Sequence, residues 1–293
     1  MTLTKKSPCK VNLILNILGK RVDGFHELET VMHPVNLFDE LTFERGGTGI
    51  QLTCSEPGLP VDGKNLVYRA AEAFLKFHKL EAGVRIHLEK KIPMAAGLGG
   101  GSGNAATTLL GMNEVFGSPL TTPALGSLAA ALGSDINFFL QEKPALAKGR
   151  GEHIESLEFF PALRGTYIFL VHPGFGISTP WAYQQLANFP AALNGTPGRA
   201  QTLVDLLQRE PLEVAAREFY NSLEAPALQK YPLLTLFQEF FRENGAAVAL
   251  MSGSGSTTFG ITPNRATAIQ LREKFLVKFG ESFWTAIVPL GES

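Results

Sequence analysis

A glycine-rich stretch at residues 97–103 constrains the fold of this chain more than any other feature. It reads Gly97-Leu98-Gly99-Gly100-Gly101-Ser102-Gly103 and runs directly into a segment that favours a helix. So many glycines cost backbone entropy, and such a loop is expected where another group must approach the backbone closely. Its amides, together with the N-terminus of the following helix, would bind an anion such as a polyphosphate. The alternative is a flexible loop that only caps the helix.

Two common phosphate-binding patterns do not fit this stretch. A Walker A loop has the pattern G-x-x-x-x-G-K-[S/T], and no lysine follows these glycines. The dinucleotide fingerprint G-x-G-x-x-G fails because Gly97-Leu98-Gly99 continues to Ser102, and Gly99-Gly100-Gly101 continues to Asn104. A polyphosphate bound here would therefore be held by a different arrangement.

Composition limits the kinds of partner. The chain has 293 residues, 45% of them hydrophobic, and a formal net charge of -1, which is enough for one large or two modest domains. No basic run marks a surface for nucleic acid or for an anionic membrane, so we expect a small soluble partner. The apolar N-terminal segment is interrupted by Lys10, Asn12 and Asn16, unlike a signal peptide or a membrane span. A cytoplasmic protein is expected, and nothing in the sequence specifies its oligomeric state.

Cysteine and histidine usage does not indicate a metal site. The two cysteines, Cys9 and Cys54, lack metal-ligand spacing, and two buried thiols in a reducing compartment fit them better than a disulfide does. The six histidines form no H-E-x-x-H pattern or comparable cluster. We therefore expect no histidine-bound metal.

Hydrophobic periodicity predicts an α+β fold in two lobes, since strands and helices do not alternate strictly. The N-terminal part is rich in strands, and Gly46-Gly47-Thr48-Gly49 predicts a hairpin to the strand at residues 50–54. Predicted strands and helices up to residue 172 are strands 11–18, 28–38, 41–44, 50–54, 84–88, 145–148, 154–157 and 167–172, and helices 65–78, 104–116 and 123–132. Beyond residue 179, helices are predicted at 180–187, 200–208, 212–219, 226–230, 233–244 and 264–279, and strands at 246–251, 257–261 and 283–288. The predicted domains are residues 1–160 and 161–293.

Three further features could carry chemistry. Lys10 precedes an apolar strand, where an alternative is an edge lysine whose amine reaches solvent. Asp135 comes two residues after Gly133 and shortly before Phe138-Phe139, where an alternative is a helix N-cap. Ser252-Gly253-Ser254-Gly255-Ser256 is a glycine loop whose alternative is an ordinary hairpin turn. Phosphoryl transfer to an alcohol needs a polyphosphate nest, a cation and a carboxylate that takes the hydroxyl proton, and this chain offers all three.

The order of these motifs resembles that of the GHMP small-molecule kinases. The resemblance rests on Pro8-Cys9-Lys10-Val11-Asn12-Leu13, Pro93-x-x-x-Gly97-Leu98-Gly99-Gly100-Gly101-Ser102 and Ser252-Gly253-Ser254-Gly255. Arg21-Val22-Asp23-Gly24-Phe25-His26 and Leu132-Gly133-Ser134-Asp135 are similar to members of the family that act on an alcohol carrying a cytidine diphosphate group. The resemblance implies a strand-rich N-terminal ATP lobe, a ferredoxin-like C-terminal lobe and the use of ATP with Mg²⁺.

The resemblance also implies the role of each site residue. Asp135 would be the general base, and Lys10 would orient it, so that both flank the terminal phosphate of the nucleotide. ATP would be bound by Asn65 and Lys91 at the adenosine and by the loop Pro93, Met94, Ala95, Ala96, Gly97, Leu98, Gly99, Gly100, Gly101, Ser102 and Gly103. Ser102 would contact Mg²⁺. The substrate pocket would comprise Asn12, Phe25, His26, Thr179 and Tyr183, with Phe25 and His26 against the cytosine.

This chain departs from the usual family pattern at a few positions. The family commonly has Ser-Ser after the triple glycine, where this chain has Ser102-Gly103, and it often has a tyrosine where Phe25 stands. Stacking on a base does not need the missing phenol group. The competing interpretations are another GHMP kinase, acting on a sugar, homoserine or a mevalonate-type alcohol, and a relative that binds ligands without turnover.

Overall fold

The structure, a computed structural model, describes residues 2–79 and 82–291. Its strands are β1 (Thr2–Lys20), β2 (His26–Arg45), β3 (Ile50–Cys54), β4 (Val84–Glu89), β5 (Ala145–Gly149), β6 (His153–Ser156), β7 (Tyr167–His172), β8 (Tyr220–Asn221), β9 (Val248–Met251), β10 (Thr258–Thr262) and β11 (Trp284–Pro289). Its α-helices are α1 (Leu66–Phe77), α2 (Gly100–Val115), α3 (Thr122–Leu132), α4 (Thr179–Gln185), α5 (Pro190–Leu193), α6 (Arg199–Arg209), α7 (Leu212–Ala215), α8 (Glu224–Lys230), α9 (Pro232–Glu243) and α10 (Arg265–Phe279). The predicted α+β class is confirmed.

The described chain forms two compact units that are discontinuous in sequence. The first unit takes in Met1–Cys9, Leu37–Ile92 and Gly99–Glu142, and the second takes in Lys10–Asn36, Pro93–Leu98 and Lys143–Ser293. Both β1 and β2 therefore have residues in each unit. The domain boundary expected at residue 160 stays a prediction.

In the first unit, β4 lies between two other strands. It pairs in parallel with β3, from Ile50 opposite Val84, and antiparallel with β2, from Glu40 opposite Glu89. Helix α2 packs closely on this part of the chain, because a Cβ at Gly111 would lie 2.5 Å from the buried ring of Phe43. A glycine at this position lets the helix backbone approach the phenylalanine directly.

The second unit contains an antiparallel sheet in the order β11-β7-β10-β9. Along the chain the elements run β7, a helical region, β9, β10, α10 and β11, so the order and connections are those of a ferredoxin-like sheet. Aromatic side chains fill its core, with edge-to-face ring contacts that favour this kind of packing. The central rings are Phe169, Phe237, Phe241 and Phe275. In the same unit β2 pairs with β5, and β1 pairs in parallel with β8.

Two sequence predictions are wrong in detail. The stretch Gly46-Gly47-Thr48-Gly49 does not close a hairpin, because β3 pairs with β4 and not with β2. It packs instead against Gly83, whose added Cβ would meet the carbonyl oxygen of Gly47 at 2.3 Å. Helix α2 begins at Gly100, four residues before the predicted start at residue 104, so three of the clustered glycines are helical. Glycine has a poor intrinsic helix propensity. At residue 103 a close approach of the backbone, described below, requires it.

No helix in residues 2–79 and 82–291 has both the length and the apolar character needed to cross a membrane.

Candidate functional site

Lys10 has a buried side chain with defined partners. It lies on β1 in the second unit and is 4% exposed. Its amine donates to Asn12 Oδ1 at 2.6 Å and to the carbonyl of Gly97 at 3.3 Å. Asn12 is fixed in turn, since its Nδ2 donates to Thr30 Oγ1 at 2.8 Å. This placement is unlike that of a surface lysine, whose amine would extend into water.

The first half of the glycine-rich loop is held by backbone contacts in the second unit. The N–H of Lys10 donates to the carbonyl of Leu98 at 2.9 Å, and the N–H of Thr257 donates to that of Ala96 at 3.1 Å. Gly97 has a φ of +77°, and a Cβ there would lie 2.0 Å from the carbonyl oxygen of Ser252. Only glycine fits both this backbone conformation and this close approach.

The loop at residues 252–256 is both a hairpin turn and a support for Gly97. It joins β9 to β10, which pair from Met251 opposite Thr258. The hydroxyl of Ser252 donates to the carbonyl of Gly97 at 3.0 Å. A Cβ on Gly253 would come within 3.3 Å of Lys10 Nζ, so the turn also limits the space beside the amine.

Asn221 organises this turn, and sequence analysis did not identify it. It is 1% exposed, and its Nδ2 donates to the carbonyls of Met251 at 2.8 Å and Gly253 at 2.7 Å. Asn221 lies on β8, opposite Leu15 of β1. The strand that carries Lys10 is therefore tied to the turn that packs on Lys10. An asparagine in a two-residue strand carries no recognisable sequence signal.

The second half of the glycine-rich loop starts helix α2 in the first unit. Gly99 is the N-cap in a left-handed conformation, with a φ of 68°. A Cβ on Gly103 would lie 2.4 Å from the carbonyl oxygen of Pro8, which leaves no room for the serine that the family commonly has there. Ser102 is half-buried in the first turn of α2, where the helix dipole favours negative charge.

Asp135 lies in the first unit, in the turn between α3 and a short 3₁₀ helix at Asn137–Leu140. Its side chain is half-buried, and the residues that follow anchor the turn, since Ile136 and Phe138 are almost fully buried. The N-cap position of the 3₁₀ helix is Ile136, so Asp135 does not cap it. The expectation that Asp135 and Lys10 flank one phosphate stays a prediction.

The two residues expected at the adenosine have clear local environments in the first unit. Asn65 caps α1, because its Oδ1 accepts from the N–H of Val67 at 2.9 Å and its Nδ2 donates to the carbonyl of Pro60 at 2.7 Å. The backbone N–H of Lys91 donates to Asp39 Oδ1 at 2.7 Å, while its side chain is exposed. In the second unit, Met94 and Ala95 are exposed and Pro93 is half-buried.

Two contacts in the second unit involve rings of the expected substrate residues. Phe25 is 55% exposed, and the guanidinium of Arg150 lies 4.8 Å from its ring centroid. His26 lies 5.0 Å from the ring of Tyr183, with an interplanar angle of 40°. Burial lowers the pKa of His26, and the charge of Lys20 lowers it further, so this imidazole is neutral near pH 7 and can both donate and accept.

Two further contacts fix residues that the sequence analysis expected near the substrate. The Oγ1 of Thr179 and the Oγ of Ser254 are 2.8 Å apart, so the start of α4 is joined to the hairpin turn. Asp23 Oδ1 accepts from the N–H of Phe25 at 3.1 Å, which fixes the turn that presents Phe25. Arg150 lies between β5 and β6, and sequence analysis assigned it no function. A guanidinium stacked on an aromatic face is recognisable only in three dimensions.

Within residues 2–79 and 82–291, no group of three or more histidine, cysteine, aspartate or glutamate side chains could hold a metal ion. Mg²⁺ in phosphate-transfer enzymes commonly keeps its waters and binds the substrate phosphates, with few protein ligands. The half-buried hydroxyl of Ser102 fits that limited role.

Comparison of the sequence with protein families gives two matches. Residues 65–142 match the GHMP kinases N terminal domain, and residues 203–281 match the GHMP kinases C terminal domain. A 4-diphosphocytidyl-2-C-methyl-D-erythritol kinase of Synechococcus sp. (strain JA-3-3Ab) is 41% identical over 290 residues, covering 96% of this chain and 93% of the relative. The enzyme of the same name from Geobacter sp. (strain M21) is 42% identical, covering 87% and 88%.

Comparison with solved structures also finds kinases. A crystal structure of 4-(cytidine 5'-diphospho)-2C-methyl-D-erythritol kinase has a TM-score of 0.78 and 33% identity, covering 99% of this chain and 100% of that one. Homoserine kinase from Cytophaga hutchinsonii has a TM-score of 0.75 at 18% identity, covering 100% and 96%, and shows the fold alone. With the two family matches and relatives that span nearly its whole length, this chain belongs to the GHMP kinase family.

Proposed function

We propose that this chain is an ATP-dependent kinase that phosphorylates the 2-hydroxyl of 4-diphosphocytidyl-2-C-methyl-D-erythritol, in the non-mevalonate route to isoprenoid precursors. The observation that carries this proposal is the 41% identity to a kinase of that name over 96% of the chain. Homoserine and mevalonate kinases share the fold at 18% identity or less, so the fold alone does not select the substrate. The proposed place of action is the cytoplasm.

Proton transfer is assigned to Asp135, supported by Lys10. Asp135 takes the proton of the attacking hydroxyl, and the ammonium of Lys10 stabilises the negative charge that develops on the oxygen. The buried amine of Lys10, fixed by Asn12 and Gly97, supports this role. A cation held in place before the reaction stabilises developing charge without reorganisation.

ATP binding is assigned to residues 93–103, with Asn65 and Lys91 at the adenosine. The left-handed Gly99 at the start of α2 supports this assignment, since backbone amides at a helix N-terminus bind phosphate oxygens. Mg²⁺, when bound, would neutralise charge on the phosphates, and Ser102 is the residue of this chain assigned to it.

The cytosine is assigned to Phe25 and His26, with Asn12, Thr179 and Tyr183 around the remainder of the substrate. An exposed aromatic face at Phe25 and a neutral imidazole at His26 support this assignment. The ring would stack on the base, and the imidazole would exchange hydrogen bonds with its polar edge. A sugar, homoserine or mevalonate has no aromatic group that would use this surface.

Thermal denaturation with candidate ligands tests the substrate assignment. A ligand present at 100 times its dissociation constant stabilises the folded protein by about 2.7 kcal/mol. We expect 4-diphosphocytidyl-2-C-methyl-D-erythritol to raise the melting temperature, while galactose, homoserine and mevalonate leave it unchanged. Equal protection by one of these three would transfer the assignment to another GHMP kinase activity.

A further inference from the structure

Asp39 is a fully buried carboxylate to which the sequence drew no attention. It lies on the part of β2 that belongs to the first unit and has no exposed surface. Its Oδ1 accepts from the backbone N–H groups of Lys91 at 2.7 Å and Ile92 at 2.8 Å. Its Oδ2 accepts from Lys90 Nζ at 2.5 Å and from Asn104 Nδ2 at 2.9 Å. Four donors on one carboxylate compensate for the cost of removing its charge from water.

The positions of these donors in the chain are informative. Lys90, Lys91 and Ile92 immediately precede the glycine-rich loop, and Asn104 immediately follows it. One carboxylate therefore holds both ends of the segment at residues 93–103. Asn104 Nδ2 also donates to Ser7 Oγ at 3.0 Å, so the far end is fixed to β1 as well.

The same cluster determines the close packing at the start of α2. A Cβ on Gly100 would lie 3.2 Å from Lys90 Nζ and 3.1 Å from a methyl group of Ile92. The ammonium of Lys90 therefore lies next to the first turn of the helix, held there by Asp39. A change at Asp39 would alter the loop at its beginning and its end together.

We propose that Asp39 is a positioning residue for ATP binding, which fixes the separation of the two ends of the loop at residues 93–103. This inference rests on the proposed function insofar as that loop binds the nucleotide. Asp39 does not touch ATP in this account. It acts by keeping the loop amides in the conformation that accepts phosphate, so its loss weakens nucleotide binding more than it affects the alcohol substrate.

The isosteric change Asp39→Asn tests this account, because it replaces one of the two accepting oxygens of the carboxylate with an NH₂ group that donates. Its oxygen can still accept from Lys91 and Ile92, but its NH₂ group then faces the donors of Lys90 and Asn104. The double variant Asp39→Asn/Asn104→Asp exchanges the two side chains, so that a donor again faces an acceptor between residues 39 and 104. The amide of residue 39 would donate to the new carboxylate at position 104. The amine of Lys90 stays near that carboxylate, since Lys90 and Asn104 now contact the same oxygen.

The measurement is the dissociation constant of Mg·ATP by titration calorimetry, together with KM for both substrates. For Asp39→Asn we expect ATP binding to weaken by about ten-fold or more, with the KM of the alcohol within about two-fold of wild type. The exchanged double variant should recover most of the loss. The matched control is Glu44→Gln on the same strand, which removes an exposed ion pair with Arg85 and should leave ATP binding unchanged.

A third variant covers the case in which Asp39→Asn does not fold. Asn104→Ala removes the hydrogen bonds from the end of the loop to Asp39 and to Ser7, and it leaves the three donors before the loop in place. It should still weaken ATP binding. ATP affinity equal to wild type in Asp39→Asn or in Asn104→Ala, or no recovery in the exchanged variant, overturns the proposal. If the wild-type protein itself does not bind ATP, the proposed function fails instead, and the two failures are distinct.

Discussion

At the scale of single residues, Lys10 shows how local contacts hold a buried amine in place. Burying an ammonium group is costly unless polar partners replace its water. Asn12 Oδ1 and the Gly97 carbonyl supply two such partners, and Thr30 fixes the amide of Asn12 so that its oxygen faces the amine. The position of the amine is therefore determined before any substrate binds.

Asp135→Asn is expected to abolish phosphoryl transfer and leave ATP binding within about three-fold of wild type. The amide cannot accept the hydroxyl proton, and general base catalysis is worth about 10²–10⁴-fold in rate. The measurement is kcat by coupled ADP release, beside the ATP dissociation constant.

Asp205→Asn is the matched control for this variant, since it makes the same chemical change at an exposed position of α6. Its kcat should equal that of wild type. Turnover of Asp135→Asn near the wild-type rate would remove Asp135 from the mechanism.

Gly103→Ser restores the serine that the family commonly has, yet we expect it to destabilise this protein. The added Cβ would lie 2.4 Å from the carbonyl of Pro8 and 3.2 Å from Ser7 Oγ, so the backbone must shift. Overpacking of this kind costs about 1–3 kcal/mol of unfolding free energy, measurable by urea denaturation.

Gly101→Ala is the control for this prediction, because a Cβ at residue 101 would meet only Leu66 Cδ1 at an ordinary 3.7 Å. It should have at least the unfolding free energy of wild type, since alanine favours a helix more than glycine does. A Gly103→Ser protein as stable as Gly101→Ala would show that the Pro8 carbonyl does not exclude a side chain at residue 103.

Sequence analysis singled out residues that belong to a recognisable motif. It missed residues whose importance depends on tertiary contacts. Lys10 could be singled out by its place in the motif Pro8-Cys9-Lys10-Val11-Asn12-Leu13, and Gly97 by the dense run of glycines. Asn221, Arg150 and Asp39 could not, since each is an ordinary polar residue whose partners lie far away in the chain. Their importance comes from tertiary contacts that no local pattern records.

At the scale of elements, Glu224 joins helix α8 to the strand that leads into the hairpin turn at residues 252–256. Its Oε1 accepts from the N–H of Met251 at 2.7 Å and from Gln238 Nε2 at 2.5 Å. Burial of the carboxylate raises its pKa to about 7, although these two hydrogen bonds and the charge of Arg242 oppose the shift. The folded protein therefore holds this proton to a higher pH than the unfolded chain does.

The raised pKa predicts a pH dependence of stability with a definite sign. The contribution of Glu224 is fully present below its unfolded pKa of about 4.5 and is lost as the pH rises through about 7. The loss amounts to about 3 kcal/mol, at 1.36 kcal/mol for each pKa unit. Glu224→Gln keeps the accepting oxygen but cannot ionise. The unfolding free energy of this variant should therefore lack this decrease with rising pH.

Urea denaturation at a series of pH values from 4.5 to 8 checks this prediction. The difference in unfolding free energy between Glu224→Gln and wild type should shift in favour of the variant as the pH rises. Glu213→Gln, an exposed change on α7, is the control and should leave the profile unchanged. A constant difference between Glu224→Gln and wild type would contradict the raised pKa.

Most elements follow from local patterns, and the exceptions have tertiary causes. Strands β1 and β2 run longer than the predicted segments, since β1 also takes in residues 2–10 and 19–20, and β2 joins the two strands predicted at residues 28–38 and 41–44. Residues 2–8 are mostly polar, so hydrophobic periodicity does not mark them as strand. The pairing of β3 with β4 depends on a strand that follows about 30 residues later, which a turn motif does not specify.

At the scale of the whole molecule, the order of the motifs identified the family, while the unit boundaries did not follow from the sequence. Two family matches and a relative at 41% identity confirm the GHMP kinase assignment. The two compact units each combine distant stretches of chain, because β1 and β2 both pass through a unit boundary. Discontinuous units of this kind leave no composition change or linker for sequence analysis to detect.

Phosphoryl transfer measured directly on candidate alcohols tests the central claim. The protein is incubated with Mg·ATP and, in separate reactions, with 4-diphosphocytidyl-2-C-methyl-D-erythritol, galactose, homoserine and mevalonate, and the products are identified by ³¹P NMR. We predict ADP release and a new phosphomonoester at the 2-hydroxyl only with the cytidine compound. Comparable turnover of one of the other three alcohols, or no transfer to the cytidine compound, would contradict this assignment.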